Sequence, residues 1–130
     1  MRDKLVAQII EHEGLKLKPY HCPVGKLTIG VGRNLEDKGI SQKEAVFLLK
    51  NDIDECVADL EGLFKEKFDS FPEKVKMVLI DMRFNLCATG FRSFRKMIKA
   101  VEESDFDKAS KEMKDSNWYS QVGKRAETLV

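Results

Sequence analysis

The chain has 130 residues, 42% hydrophobic and 35% charged, a composition that is typical of a folded domain and excludes an intrinsically disordered chain. Its 23 basic and 22 acidic residues give a net charge of +1, which argues against a nucleic-acid-binding protein with a concentrated basic face. A single domain is expected at this length.

Neither a signal peptide nor a membrane span is predicted. No segment approaches the ~20 apolar residues of a spanning helix, and the N-terminal residues contain no apolar run of signal-peptide length. Cys22, Cys56 and Cys87 are widely spaced and odd in number, which disfavours a zinc site and indicates free thiols in a reducing compartment. We therefore expect synthesis in the cytoplasm, no membrane insertion and no metal, with Cys56 and Cys87 as small core residues.

The first predicted helix carries its apolar residues on one face and ends near Gly14. Glu13 lies at its carboxyl end, where the negative pole of the helix dipole favours a protonated carboxyl group. A general acid needs that property. The alternative is that Glu13 is an ordinary surface residue like Glu11.

Residues 15–31 alternate with a period of two and predict a small antiparallel sheet that turns around "PVGK". If Leu27, Ile29 and Val31 face the core, Thr28 lies on the opposite face. Gly30 and Gly32 would share that face, where missing side chains allow a ligand to approach the backbone. The alternative is that these glycines only permit twist or bulges.

Helices are predicted for the remainder of the chain. "SQKE" at 41–44 is a capping box, followed by a helix to about residue 60 with acids such as Asp52 and Asp59 on its outer face. A second helix is expected to start at Phe71-Pro72 and to end at Gly90, and its buried stripe comprises Val75, Val78, Leu79 and Met82. Ser93–Val101 predicts another helix, and Asp105 is expected to cap a third.

The stretch "EHEGLKLKPYHCPVGKLTIGVGRNL" resembles the phage-type lysozymes, or endolysins, of glycoside hydrolase family 24. Their motif is Glu, eight residues, Asp or Cys, five residues, Thr, and it is present here as Glu13, Cys22 and Thr28. The resemblance continues at "FNLCATGFRSF" and "NWYSQVGKRAE", so it covers essentially the whole chain.

The resemblance implies a mainly α, α+β fold with two lobes around a cleft. The small lobe would span about 14–60 with the connecting helix, and the helical lobe 1–13 plus 61–130. It also implies a muramidase that cleaves the β-1,4 bond between N-acetylmuramic acid and N-acetylglucosamine in peptidoglycan, without a cofactor. The implied protein is a monomer that acts on glycan strands of the cell wall after release, with a separate pore protein as a candidate for releasing it.

The resemblance also assigns roles to individual residues. Glu13 would be the general acid, and Thr28 and Cys22 would hold the attacking water in an inverting reaction. Arg125 matches an arginine that pairs with the catalytic glutamate. Gly30 and Gly32 would form a wall of the sugar site, and Asn85 would contact substrate.

Several alternatives to this reaction remain open at the level of sequence. They are a non-catalytic wall-binding protein on the same fold, a lytic transglycosylase, and a Cys/His hydrolase that uses Cys22 with His12 or His21. Cys22 itself could act as a base, a water-positioning group or a nucleophile.

Overall fold

The computed structural model describes residues 1–115, and Trp118 and Arg125 lie outside the described residues. Within this part of the chain the elements are, in order, α1 (Arg2–Glu13), β1 (Lys16–His21), β2 (Leu27–Gly30), β3 (Arg33–Asn34), α2 (Gln42–Phe64), α3 (Lys67–Ser70), α4 (Glu73–Arg92), α5 (Arg95–Glu102) and α6 (Phe106–Lys114). The predicted α+β class, mostly helical with one small sheet, is confirmed. The chain divides into two compact units, residues 1–47 and 48–130.

The first unit contains α1 and an antiparallel sheet in the order β1-β2-β3. Helix α1 ends at the predicted position: Gly14 follows with a φ of 81°, a left-handed value that suits glycine, and its amide donates to the Ile10 carbonyl at 2.7 Å. Strand β2 pairs with β1 through Tyr20 and Thr28. The two-residue strand β3 was not predicted, because two residues are too few for a periodic pattern.

Thr28 does not lie on an open face of the sheet as expected. Its exposed fraction is only 3%, whereas Leu27 and Ile29 on either side are half-buried. Its hydroxyl group is satisfied by a hydrogen bond to the Lys26 carbonyl at 2.9 Å, as a buried polar group requires. The alternation predicted a strand correctly, but it did not identify the more buried face.

The predicted capping box at the start of α2 is confirmed. The amide of Glu44 donates to Ser41 Oγ at 3.1 Å, and the amide of Ser41 donates to Glu44 Oε1 at 2.8 Å. Each bond satisfies a backbone donor that the first helical turn leaves without an intrahelical acceptor.

The second unit, residues 48–130, contains the main hydrophobic core among the described residues. Phe71 contacts three other aromatic rings edge-on, with centroid distances of 5.5 Å to Phe64, 6.0 Å to Phe68 and 5.8 Å to Phe106. The predicted stripe on α4 is confirmed: Val78, Leu79 and Met82 are buried and Val75 packs against them. Asp105 caps α6 by accepting from the Lys108 amide at 3.2 Å, also as predicted.

Three expectations about this unit are wrong. Asp59 is not a solvated acid on an outer face, because its carboxylate forms ion pairs with Arg83 at 2.8 Å and Arg92 at 2.7 Å. Cys87 is exposed rather than part of the core. Helix α4 also continues past Gly90 to Arg92, and its irregularity lies at Cys87, where φ is 61° and ψ is 173°.

Among the described helices, none is both long enough and apolar enough to span a membrane. The most apolar long helix, α2, carries acidic and basic side chains along its length.

Candidate active site

Glu13 is the last residue of α1, and its exposed carboxyl group lies beside Gly32. A Cβ atom at Gly32 would stand 3.5 Å from Glu13 Oε2 and 4.0 Å from Cδ. The β2–β3 turn therefore approaches the carboxyl group with bare backbone. Within residues 1–115, no hydrogen bond or ion pair engages this carboxyl group.

Cys22 lies in the tight turn between β1 and β2. Its amide donates to the Lys26 carbonyl at 2.9 Å, and the Gly25 amide donates to the Cys22 carbonyl at 2.8 Å. The thiol is free and half-buried. Hydrogen bonds from the backbone of Lys26, then from that of Val24, lower the pKa of this thiol, against a smaller opposing effect of burial.

The Thr28 hydroxyl also lowers the pKa of Cys22 through a hydrogen bond. Thr28 Oγ1 donates to the Lys26 carbonyl at 2.9 Å. The Cys22 amide donates to the same Lys26 carbonyl, so Cys22 and Thr28 converge on one backbone acceptor.

The other predicted site residues, Gly30, Asn85 and Arg125, lie in three different parts of the chain. Gly30 ends β2 opposite Lys16 of β1, in the same compact unit as Glu13, Cys22 and Thr28. Asn85 is an exposed residue of α4 in the second unit, so its substrate contact stays a prediction. Arg125 lies outside the described residues.

The residue after Gly32 forms an ion pair that was not predicted from the sequence. Arg33 binds Glu44 through both carboxylate oxygens, with Nη1–Oε1 at 2.9 Å and Nη2–Oε2 at 2.7 Å, and Nη1 also donates to the Gly39 carbonyl at 3.2 Å. The pKa of Glu44 is lowered to about 2, mainly by its hydrogen bond with Arg33 and then by its hydrogen bonds with Ser41. The capping box identified Glu44 as a residue with a structural role, but the box alone does not predict that Glu44 also binds Arg33.

The described residues offer no obvious metal centre. Among residues 1–115, no three His, Cys, Asp or Glu side chains are grouped closely enough to hold a metal ion. The groups that the first unit brings together are the Glu13 carboxyl group, the Cys22 thiol, the Thr28 hydroxyl group and the backbone of Gly32.

Comparison with known proteins identifies the family that carries this arrangement. The model of the family described as "Phage lysozyme" matches residues 10–130, a range that includes Glu13, Cys22 and Thr28. The chain belongs to the phage lysozyme family. It is accordingly a glycoside hydrolase of the lysozyme type, and the predicted resemblance is confirmed.

Individual relatives are distant but extend over most of this phage lysozyme family member. The "Probable T4-type lysozyme 2" of Dictyostelium discoideum is 28% identical over 147 residues, covering 91% of this chain and 86% of the relative. The "Probable T4-type lysozyme 1" of the same organism is 25% identical with the same coverage. The "Pre-baseplate central spike protein Gp5" of Enterobacteria phage T4 is 26% identical, and the match covers only 25% of that longer protein.

Proposed function

We propose that this chain hydrolyses the β-1,4 bond between N-acetylmuramic acid and N-acetylglucosamine in peptidoglycan, with Glu13 as the general acid. Membership in the phage lysozyme family supports a muramidase-type peptidoglycan hydrolase. The observation that carries the residue assignment is the convergence of the Cys22 amide and the Thr28 hydroxyl on the Lys26 carbonyl, in the same compact unit as the exposed Glu13 carboxyl group.

Glu13 is suited to protonate the glycosidic oxygen for two reasons. It is the last residue of α1, so the helix fixes the position of the backbone that carries its carboxyl group. It also faces the bare backbone of Gly32, so a sugar ring meets no competing side chain at that position. A positioned general acid contributes about 10²- to 10⁴-fold to the rate of such a reaction.

Cys22 and Thr28 are proposed to hold the attacking water. The Thr28 hydroxyl is fixed by the Lys26 carbonyl, and the sulfur accepts hydrogen bonds from the turn. A thiolate accepts a proton from water, which supports an inverting reaction in which the water attacks the face opposite the leaving group. The anomer that forms first, observed by proton NMR, tests this step: a retained configuration would instead indicate a covalent intermediate on Cys22.

Two substitutions on α1 test the enzymatic assignment. Glu13→Gln is expected to lower the release of soluble muropeptides from purified cell walls by at least about 10²-fold. Glu11→Gln changes the same charge two residues away, on an exposed position of the same helix, and is expected to leave the rate unchanged. Equal rates for Glu13→Gln and the parent protein would contradict the assignment.

Mass spectrometry of the products separates hydrolysis from transglycosylation. A hydrolase adds one water to the muramic acid end, whereas a lytic transglycosylase leaves an anhydro end that is one water lighter. If the protein binds cell walls but produces no new glycan-strand ends, the non-catalytic alternative would be supported. We propose the hydrolase, acting on the wall after release through a separate pore protein, in the setting of a phage or prophage.

Arg125 is proposed to orient Glu13, on the strength of the family resemblance alone. A nearby guanidinium group favours an ionised carboxylate, so Arg125→Ala is expected to shift the pH–rate profile upward. An unchanged profile with reduced thermal stability would assign Arg125 a structural role instead.

A further inference from the structure

The Arg33–Glu44 pair closes the chain segment that joins β3 to α2. Arg33 belongs to β3, and Glu44 lies in the first turn of α2. Two parallel N–H···O bonds of 2.9 Å and 2.7 Å join the guanidinium group to the carboxylate, the fork geometry that fixes orientation as well as distance. The additional bond to the Gly39 carbonyl ties the middle of the segment to the same guanidinium group.

Glu44 cannot move independently of the helix start. Its Oε1 also accepts from the Ser41 amide at 2.8 Å, and its own amide donates to Ser41 Oγ at 3.1 Å. The carboxylate is therefore held on both sides, by the capping box and by Arg33. Because the Glu44 carboxylate is held in place, its pair with the Arg33 guanidinium group also fixes the backbone of β3.

The same segment is tied to β2, the strand that contains Thr28. The Leu35 amide donates to the Leu27 carbonyl at 2.8 Å, and the Leu27 amide donates to Glu36 Oε1 at 2.9 Å. Thr28 pairs with Asn34, and Ile29 pairs with Arg33. The β2–β3 hairpin is thus fastened to the segment that follows it at several points, and Arg33 is the point closest to Gly32.

We propose that Arg33 is a positioning residue for the glycosidase reaction: its bidentate pair with Glu44 fixes β3 and so keeps Gly32 against the carboxyl group of Glu13. This inference rests on the proposed function, because it assigns Glu13 as the acid. Arg33 itself contacts no reacting atom. It acts through the adjacent Gly32, whose α-carbon faces Glu13 Oε2. If β3 were no longer fixed by this pair, Gly32 would no longer be held beside the Glu13 carboxyl group.

The test is a double-mutant cycle on initial rates of dye release from dye-labelled peptidoglycan. Arg33→Gln and Glu44→Gln remove the charges, and glutamine at 44 retains an oxygen that can accept from the Ser41 amide. Each is expected to lower kcat by about tenfold while KM changes by less than about twofold, because misplacement of a catalytic group affects the reaction step. The double variant is expected to be no slower than either single variant.

Arg33→Lys keeps the charge but cannot bind both carboxylate oxygens, so it is expected to recover only part of kcat. Circular dichroism establishes that each variant is folded at the assay temperature. An unchanged kcat in folded Arg33→Gln, or additive losses in the cycle, would overturn the proposal. If Arg33→Gln does not fold, Arg33→Lys decides, and parental kcat in that variant would overturn it.

The matched control is Arg92→Gln in the second unit. Arg92 binds Asp59 with the same fork and with distances of 2.9 Å and 2.7 Å. Its loss is expected to lower thermal stability and to leave kcat unchanged, which separates positioning from general destabilisation. Glu13→Gln keeps the two proposals distinguishable: parental activity in that variant contradicts the proposed function, whereas parental kcat in Arg33→Gln contradicts only the positioning role.

Discussion

The carboxyl group of Glu13 lies directly against Gly32, with 3.5 Å between Glu13 Oε2 and the position that a Cβ atom of residue 32 would occupy. Residue 32 also has a φ of 66°, in the left-handed region that side chains with a Cβ rarely adopt. The backbone conformation therefore favours a glycine at this turn, and a methyl group there would stand in van der Waals contact with the Glu13 carboxyl group.

Gly32→Ala is expected to lower both stability and activity. The left-handed backbone is strained by a Cβ, which costs about 1 kcal/mol of unfolding free energy, and the methyl group occupies the surface that faces Glu13. Thermal unfolding and cell-wall clearing rates measure the two effects. A Gly32→Ala variant that loses stability but clears cell walls at the parental rate would contradict the importance of the Glu13 contact.

The sequence predicted the local elements of this unit well and its contacts poorly. The end of α1 at Gly14, the turn before β2 and the Ser41–Glu44 capping box all depend on residues close together in the chain, so their local chemistry determines them. The Arg33–Glu44 pair joins residues eleven positions apart. Such a contact depends on how the intervening segment folds, which no periodicity encodes.

Burial was the property that the sequence predicted least accurately. Thr28 is polar and yet buried, and a hydrogen bond to the Lys26 carbonyl satisfies its hydroxyl group. Cys87 is a favourable core residue by type and yet exposed, because its backbone departs from the helix. The three motif residues were identified by resemblance to a family, whereas spacing alone left Glu13 indistinguishable from a surface acid.

Cys87 holds a backbone conformation that favours glycine. Its φ of 61° and ψ of 173° lie in a region that is essentially restricted to glycine and costs other residues about 1–3 kcal/mol. Cys87→Gly is therefore expected to stabilise the protein by roughly 1 kcal/mol after the greater entropy loss of glycine is subtracted. Chemical denaturation with urea measures the change.

Thr89→Gly is the matched control for this prediction. Thr89 is an exposed residue of α4 with ordinary helical backbone, so glycine there is expected to destabilise the protein by about 0.5–1 kcal/mol. A destabilisation of the same sign and size in Cys87→Gly would show that residue 87 is not strained.

Asp59 is expected to make stability depend on pH in the acidic range. Arg92 first, and then Arg83, lower its pKa below the ordinary value of 3.8. A carboxyl group with a lowered pKa in the folded state stabilises the fold above its unfolded pKa, and that contribution is lost as the pH falls through the folded pKa. Asp59→Asn is therefore expected to cost about 1 kcal/mol near pH 7, and this difference should shrink below about pH 4.

Thermal unfolding between pH 2.5 and pH 7 measures this contribution. Asp54→Asn serves as the control, because Asp54 is an exposed acid on the same helix and is expected to give parental stability throughout. A difference between Asp59→Asn and the parent that stays constant down to pH 2.5 would contradict the assignment of the pH dependence to Asp59.

Cys22 is expected to react with iodoacetamide at lower pH than an ordinary thiol does. The thiolate is the reactive form, and hydrogen bonds led by the Lys26 backbone lower the pKa of Cys22 from 9.0. Burial raises the pKa of Cys56, which is only 4% exposed, so Cys56 is expected to react slowly at every pH. Mass spectrometry of peptides from the alkylated protein follows each cysteine separately.

Thr28→Val extends this prediction to the proposed mechanism. The substitution removes the hydroxyl that hydrogen-bonds the sulfur and keeps the shape of the side chain, so the inflection of the Cys22 alkylation rate is expected to move to higher pH. If Cys22 holds the attacking water, wall-clearing activity is expected to fall in parallel with its alkylation in the parent protein. Full activity after complete alkylation of Cys22 would remove the thiol from the mechanism and leave Thr28 as the residue that positions water.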